Sequence, residues 1–196
     1  MHIRSIARIA VSLVVGVGAL TLVLSQSQGG RWSSGVARAQ AGGATAEAVL
    51  HTAAGDEVGR ATFTDAGGHV VVEVAASGLP TGFHGFHVHG VGQCDAPDFM
   101  SAGPHFNPMG AQHAMHAGDL PSLLINGDGS GELRASTDRF SVGDLLDGNG
   151  TALIVHGGAD NFANIPTRYV PEPDAMTFAT GDSGARIACG VIQGSG

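Results

Sequence analysis

Short alternating segments, each followed by a turn, constrain the fold of this chain more than any other feature. In one of them Val70, Val72 and Val74 share a face, because successive side chains of a strand point to opposite sides. Glycine, a poor helix former, supplies 32 of the 196 residues and is frequent in the turns. This pattern predicts an all-β domain of antiparallel strands, either a sandwich or a barrel. The segments lie at residues 44–51, 58–64, 69–75, 82–90, 120–125, 131–137, 151–156 and 185–192.

Two histidines share one face of the segment at residues 82–90. His87 and His89 are two positions apart, so a strand points both imidazoles the same way, opposite a face of apolar side chains. Such a strand can hold a metal ion against a core, although a pair of histidines alone is a weak signal. Parity places His84 on the opposite face, where we expect a structural role, and Gly85 could bend the strand.

The strand pattern lapses over residues 90–119, where Gly, Pro and polar residues dominate. Long irregular segments in a compact domain are commonly functional or disordered. Three imidazoles and one carboxylate suit a closed tetrahedral zinc site, and their short spacing lets one loop surround one ion. The alternative is a surface loop that is rich in histidine and binds no ion. The four residues are His105, His113, His116 and Asp119.

A further histidine, His156, ends the strongly apolar segment at residues 151–156. An imidazole at the end of a strand lies at the mouth of the predicted sheet, where a metal ion could bind. The chain then enters a second long irregular segment, residues 157–184, which contains Asp160 and Arg168. We therefore expect two long functional loops beside the strands.

The first 39 residues have the composition of an export signal. Arg4 and Arg8 precede an apolar run of 16 residues, which as a helix would span ~24 Å, short of the ~30 Å hydrocarbon core of a bilayer. An Ala-Arg-Ala sequence then offers a cleavage site that would leave Gln40 first. We expect a signal peptide at 1–39, a linker at 40–43 and one domain at 44–196. An uncleaved anchor is the alternative, and both place the domain outside the cytoplasm, in the periplasm or cell envelope or secreted.

Cysteine and charge agree with export. Cys94 and Cys189 can form a disulfide in an oxidising compartment, and two buried thiols are the alternative. From Gln40 onward the chain has 17 acidic residues against five arginines and no lysine, a formal net charge of −12. Such a surface repels nucleic acid and anionic membranes, so we expect neither as a partner.

Five segments together resemble the copper-zinc superoxide dismutase family, and they occur in that family's order. Residues 161–170 are most similar to actinobacterial exported members. The resemblance implies an eight-stranded antiparallel Greek-key sandwich, or flattened barrel, with two long functional loops. The segments are GFHGFHVHGVGQC (82–94), SAGPHFNPMG (101–110), HAGDLP (116–121), ALIVHGGADN (152–161) and ARIACGVI (185–192).

Copper and zinc are the cofactors that the resemblance implies, with His105 bridging the two ions. The step from His113 to His116 is shorter than in many members, but all four zinc ligands are present, so we expect zinc. The implied copper ligands are His87, His89, His105 and His156. The implied zinc ligands are His105, His113, His116 and Asp119.

Four further residues match positions of the family with known roles. Asp160 matches a carboxylate that links ligands of the two ions, and Arg186 matches an arginine beside the copper that guides the anionic substrate. Cys94 and Cys189 match an intrachain disulfide. By the resemblance, Arg186 and His105 are therefore the residues that act directly in catalysis.

The implied function is dismutation of superoxide to dioxygen and hydrogen peroxide in the cell envelope, with superoxide as the small anionic partner. One alternative is a non-catalytic envelope protein that binds or buffers copper, although Met100, Met109 and Met115 form no cluster of the kind such proteins use for Cu(I). A zinc hydrolase is a second alternative, but four protein ligands would close the zinc. The sequence leaves a homodimer open.

Overall fold

The computed structural model describes residues 43–166 and 172–195. The predicted signal peptide at 1–39, most of the predicted linker at 40–43 and Arg168 lie outside these ranges. Within them, no helix is both long enough and apolar enough to span a membrane.

The described residues contain ten strands and three short helical turns. The strands are β1 (Thr45–His51), β2 (Glu57–Asp65), β3 (Val70–Ala76), β4 (Gly82–His84), β5 (Phe86–His89), β6 (Leu123–Ile125), β7 (Gly131–Thr137), β8 (Ala152–His156), β9 (Arg186–Val191) and β10 (Gln193–Gly194). The helical turns are a 3-10 turn (Met100–Ala102), α1 (Val142–Leu146) and α2 (Thr177–Thr180).

The strands form an eight-stranded antiparallel sheet and a two-stranded ribbon. The order in the sheet is β5-β8-β9-β1-β2-β3-β7, with β10 paired to β1, and the ribbon is β4-β6. A turn joins β6 to β7, in which the Asn126 N–H donates to the Ser130 carbonyl at 2.7 Å, and β6 lies beside β7. The all-β prediction is confirmed, and each of the eight predicted segments overlaps at least one strand.

Alternating burial builds the core on the concave side of this sheet. Along β3 the residues Val70, Val72 and Val74 are buried, as their shared face predicts, and Phe63 and Leu153 are fully buried beside them. Each fully buried large apolar side chain contributes about 1.5–3 kcal/mol relative to exposure. The two loops that follow β5 and β8 therefore begin at strands whose apolar side chains are packed in this core.

The predicted strand at residues 82–90 is divided at Gly85. The Gly85 N–H donates to the Gly158 carbonyl at 2.8 Å, and its carbonyl accepts the His156 N–H at 2.8 Å. A Cβ at this position would collide with Ser183, so the close approach requires glycine. The break turns His84 into the protein, where its ring nitrogens lie 2.6 Å from the His156 carbonyl oxygen and 2.7 Å from that of Pro80.

A disulfide joins Cys94 to Cys189 across 95 residues of chain. It ties the loop after β5 to β9. In the chain-entropy model, closing a loop of this length contributes about 4–5 kcal/mol by restricting the unfolded chain. The disulfide therefore fixes the part of the loop that approaches the histidine-bearing strands.

Candidate metal centre

Six histidines and two aspartates meet at one end of the sheet, and all eight are buried. They form three overlapping groups, in each of which the candidate ligand atoms lie within 4.8 Å of one another. We call the first the four-imidazole cluster and the second the carboxylate cluster. The four-imidazole cluster is His87, His89, His105 and His156. The carboxylate cluster is His105, His113, His116 and Asp119, and the third group is His87, His113 and Asp160.

Neighbouring strands supply most of the four-imidazole cluster. His87 and His89 lie on β5, which pairs with β8, the strand that His156 ends. Nε2 of His89 lies 3.4 Å from Nε2 of His156. His105 comes from the loop and is placed by a single bridge to His89. Parity along β5 predicted that His87 and His89 share a face, and the pairing with β8 adds the third imidazole.

Backbone carbonyls fix which ring nitrogens face the centre of this cluster. Nδ1 of His89 lies 2.8 Å from the Gly103 carbonyl oxygen, and Nδ1 of His156 lies 3.1 Å from that of Gly184. Because a carbonyl oxygen only accepts, both Nδ1 atoms carry the proton and both Nε2 atoms present a lone pair. In His87 the two ring nitrogens have the opposite roles, since Nε2 is the atom that lies 2.7 Å from a hydrogen-bond acceptor, Oδ2 of Asp160.

One oxygen organises the carboxylate cluster. Oδ1 of Asp119 lies 2.8 Å from Nδ1 of His105, 3.1 Å from Nδ1 of His113 and 3.3 Å from Nδ1 of His116. Its other oxygen, Oδ2, accepts the backbone N–H of His116 at 2.9 Å. Three imidazole nitrogens and one carboxylate oxygen thus converge on a common point, the arrangement that zinc prefers in closed sites.

His105 belongs to both clusters. Its Nδ1 faces Asp119, and its ring centroid lies 4.1 Å from that of His87 and 4.8 Å from that of His89. The centroid of His113 lies 5.3 Å away on the other side. The two ring nitrogens therefore point toward different clusters.

Among the described residues, two buried ring nitrogens have no hydrogen-bond partner, Nδ1 of His87 and Nε2 of His105, whereas Nδ1 of His113 lies 3.1 Å from Oδ1 of Asp119. A buried polar atom left unpaired costs about 1–3 kcal/mol. These atoms point into the four-imidazole and carboxylate clusters, and a bound cation at each would satisfy them. The residues present therefore fit two metal ions.

Asp160 lies within hydrogen-bond distance of one imidazole from each cluster. Its carboxylate oxygens lie 2.7 Å from Nε2 of His87 and 2.8 Å from Nε2 of His113. It also accepts the backbone N–H of Phe162 at 2.7 Å. Burial by itself raises the pKa of Asp160, but hydrogen bonds from His113 and His87 outweigh burial and hold that pKa well below its usual range. A carboxylate held ionised in this place orients one imidazole of each cluster.

The two clusters differ in how readily they hold a proton. Burial, the largest cause, lowers the pKa of His87 to about 4 and that of His156 to about 3. Burial also opposes protonation of His113, but hydrogen bonds to Asp119 and Asp160 raise the pKa of His113 to about 9. The strand histidines are therefore neutral at physiological pH, whereas the metal-free carboxylate cluster retains a proton.

Arg186 lies in the wall of a cavity of about 920 Å³ above the four-imidazole cluster, which His89, His105 and His156 also line. Its guanidinium donates to the carbonyl oxygens of Phe99 and Gly103, each at 2.6 Å. Because Gly103 also accepts from His89, one loop carbonyl positions both the arginine and an imidazole. The loop that supplies these carbonyls is the one that the disulfide holds.

The sequence did not reveal several residues that support this site. Arg139 donates to the carbonyls of Ala114 and His116 at 3.0 Å and 3.3 Å, from more than 20 positions away along the chain. Gly181 has φ of 59°, and a side chain there would collide with Asp160 and His113. A glycine next to a helical turn is only a weak indication of a role in the site. No pattern in the sequence indicates that Arg139 supports it.

Known proteins that are similar to this chain include Cu-Zn superoxide dismutases and a SOD-like protein. The family model described as copper/zinc superoxide dismutase (SODC) matches residues 57–192. The Cu-Zn superoxide dismutase of Mycolicibacterium paratuberculosis is 45% identical over 181 residues, covering 81% of this chain and 80% of that protein. That of Mycobacterium tuberculosis is 48% identical over 161 residues, covering 72% and 67%. The crystal structure of a SOD-like protein from Bacillus subtilis has a TM-score of 0.62 and 32% identity, covering 74% of this chain and 95% of that one.

Proposed function

This chain belongs to the copper/zinc superoxide dismutase family, and from that premise we propose that it dismutates superoxide to dioxygen and hydrogen peroxide. Copper would occupy the four-imidazole cluster, and zinc the carboxylate cluster. The observation that carries the proposal is the set of buried ring nitrogens that point into these two clusters, of which those of His87 and His105 have no hydrogen-bond partner within the described residues and that of His113 faces Asp119. His105 supplies one of them and belongs to both clusters.

The donor sets suit the two ions differently. Four imidazoles suit copper, which when bound supplies an alternation between two oxidation states that zinc lacks. Three imidazoles and a carboxylate suit a closed structural zinc. The ligand assignments follow: His87, His89, His105 and His156 for copper, and His105, His113, His116 and Asp119 for zinc.

His105 would bridge the two ions as an imidazolate. Its Nδ1 lies in the carboxylate cluster, and its Nε2 is buried without a partner beside the cavity. Two cations make loss of both ring protons favourable. Nε2 of His105 would be the atom that holds a proton for the peroxide product. His105 would thus act as a proton carrier at the floor of the cavity.

Arg186 would bind the superoxide anion. Its charge is held in the cavity wall by two carbonyl hydrogen bonds, which leave the side chain little freedom to move away. A fixed guanidinium is well suited to an anion, because its planar donors are already oriented. Asp160 would act on the other side, by keeping His87 and His113 in the orientation that both clusters need.

We also propose that the domain works outside the cytoplasm, in the periplasm or cell envelope or after secretion. The disulfide between Cys94 and Cys189 supports this, because such bonds persist in oxidising compartments. The signal peptide at 1–39 would then be removed, which leaves the linker at 40–43 and the domain at 44–196.

Trp32 is the only tryptophan, so the mature protein should have almost no tryptophan fluorescence and an intact mass that begins at Gln40. Mature protein that retained Trp32 emission would support the anchor. Sedimentation of this material would distinguish a monomer from the homodimer that the sequence leaves open.

The decisive experiment loads the metal-free protein with copper and zinc, singly and together, and follows superoxide consumption by stopped flow. We expect rapid consumption only when copper is present, and none with zinc alone. Metal analysis of the same samples gives the occupancy of each ion. A protein that holds a full complement of copper and does not consume superoxide would instead support the non-catalytic copper-binding alternative.

A further inference from the structure

Two methionines line the cavity above the four-imidazole cluster. Met100 and Met176 share this cavity of about 920 Å³ with His89, His105 and His156. Met100 begins the 3-10 turn of the first loop, and Met176 directly precedes α2 in the second. The two long loops therefore each place one thioether in the passage that leads from solvent to the imidazoles.

Both side chains are largely exposed, 63% for Met100 and 59% for Met176, so neither is there to fill the core. Met109 and Met115 are also exposed, 87% and 66%, but they do not line this cavity. Met109 provides a natural control, because it offers the same chemistry to solvent away from the passage, whereas Sδ of Met115 lies 3.9 Å from Nη2 of Arg139.

A thioether is a soft ligand that favours Cu(I) over harder ions. Thiolate is the other soft donor of proteins, but both cysteines of the chain are joined in the disulfide. Around this cavity, within the described residues, the methionines are therefore the only sulfur donors free to bind an ion.

The charges at the cavity wall also suit a cation. Asp98 and Asp182 are exposed and line the cavity with the methionines. Their carboxylates oppose entry of superoxide, which is an anion, and favour entry of a positive ion. Arg186, the charge that suits the anion, is half-buried in the same wall. The soft donors and acids are therefore unexplained by capture of superoxide but suit delivery of copper.

We propose that Met100 and Met176 form a docking site for Cu(I), through which copper enters the four-imidazole cluster. This rests on the proposed function, in which that cluster is the copper site. Exposed thioethers hold Cu(I) weakly, and the four converging imidazoles below them provide the more complete ligand set. The methionines thus affect how fast copper enters and leave the final site unchanged.

The test compares two variants of the zinc-loaded, copper-free protein, the cavity variant Met100→Leu/Met176→Leu and the control variant Met109→Leu. Leucine keeps the volume and removes the sulfur. Cu(I) is supplied anaerobically as its coloured bicinchoninate complex, and loss of colour gives the rate of transfer. We expect the cavity variant to load Cu(I) about fivefold more slowly than wild type, equivalent to about 1 kcal/mol of transient binding. The control variant should load at the wild-type rate.

Two further measurements separate docking from other effects. Loading with Cu(II), which has little preference for thioethers, should proceed equally fast in both variants and wild type. The final copper content and the Cu(II) electron paramagnetic resonance spectrum should also be equal. Unchanged Cu(I) loading in the cavity variant, or equal slowing in the control, would overturn the docking site alone. A wild-type protein that took up no copper would refute the proposed function as well.

Discussion

The two halves of this metal centre, the four-imidazole cluster and the carboxylate cluster, take their residues from different kinds of backbone structure. Three of the four proposed copper ligands, His87, His89 and His156, lie on paired strands whose backbone hydrogen bonds fix them. The proposed zinc ligands all come from residues 105–119, a loop with no strand of its own. A sheet holds side chains in place through its ladder, whereas a loop depends on individual contacts. We therefore expect the copper half to be formed before metal binds and the zinc half to depend on its ion.

The two clusters also differ in whether their histidines carry an extra proton. Burial among apolar strands keeps His87 and His156 neutral, so their lone pairs are ready for an ion. In the carboxylate cluster Asp119 and Asp160 raise the pKa of His113 to about 9. A proton there offsets part of the negative charge of the two carboxylates. Binding of zinc must displace it, while copper bound alone in the four-imidazole cluster meets no such competition.

Removing one ligand from each half gives the largest expected difference. His156→Ala should abolish superoxide consumption and lose copper, with zinc largely retained. His116→Ala should lower the zinc affinity by more than about 100-fold, beyond the range found for outer partners of ligands, while activity falls less. Metal analysis and stopped-flow assays of both variants provide the readout. Wild-type activity in His156→Ala would refute the copper assignment.

The pH dependence of metal affinity tests the difference in protons. Below a pKa of about 9 for His113, each zinc ion must displace one proton, so the apparent zinc affinity should rise about tenfold per pH unit up to that value. Copper affinity of the zinc-free protein should change little above pH about 5, because the pKa values of His87 and His156 lie at about 4 and about 3. Competition titrations with chelators measure both. Parallel slopes for the two ions would show that the halves do not differ in this way.

The His113 proton also predicts how the stability of the metal-free protein depends on pH. The pKa of His113 in the folded protein is raised from 6.5 to about 9, so protonation favours the folded state. This stabilisation is complete below pH 6.5 and is lost as pH rises through about 9. The free energy of unfolding in urea should fall over that window. Saturating zinc should remove the effect, since the ion replaces the proton.

Variants of Arg186 test whether binding of the superoxide anion is independent of metal binding in the two clusters. Arg186→Ala should leave copper and zinc contents unchanged and lower kcat/KM about tenfold, the lower end of effects seen for charges that guide substrates. Arg186→Lys should recover part of the loss, because it restores charge without the planar donors. Loss of copper from Arg186→Ala would instead mean that the arginine acts by holding the carbonyl of Gly103 beside His89.

The smallest expected effect concerns the support of the zinc loop. Arg139 donates to the carbonyls of Ala114 and His116, so Arg139→Gln should weaken zinc about fivefold, the equivalent of about 1 kcal/mol. Copper affinity should not change. Arg134→Gln is the matched control, because Arg134 forms an exposed ion pair with Glu73 on the sheet and touches no ligand. Equal zinc affinity in the two variants would show that the loop does not depend on Arg139.

Local spacing accounts for the parts of this molecule that its sequence predicts. Alternation of period two predicts the strands and places His87 beside His89, and the short steps from His113 to Asp119 predict one enclosed cluster. The break at Gly85 and the carbonyls that orient the rings depend on approaches between distant parts of the chain. Arg139 reaches the zinc loop across such a distance. No local pattern encodes those contacts, so only the folded structure reveals them.

Crystals of the metal-loaded protein, measured at the copper and zinc absorption edges, test the central claim most directly. We predict one copper peak among Nδ1 of His87 and Nε2 of His89, His105 and His156. One zinc peak should lie on the other side of the His105 ring, among Nδ1 of His105, His113 and His116 and an oxygen of Asp119. A single ion, or copper in the carboxylate cluster with zinc among the four imidazoles, would contradict the account.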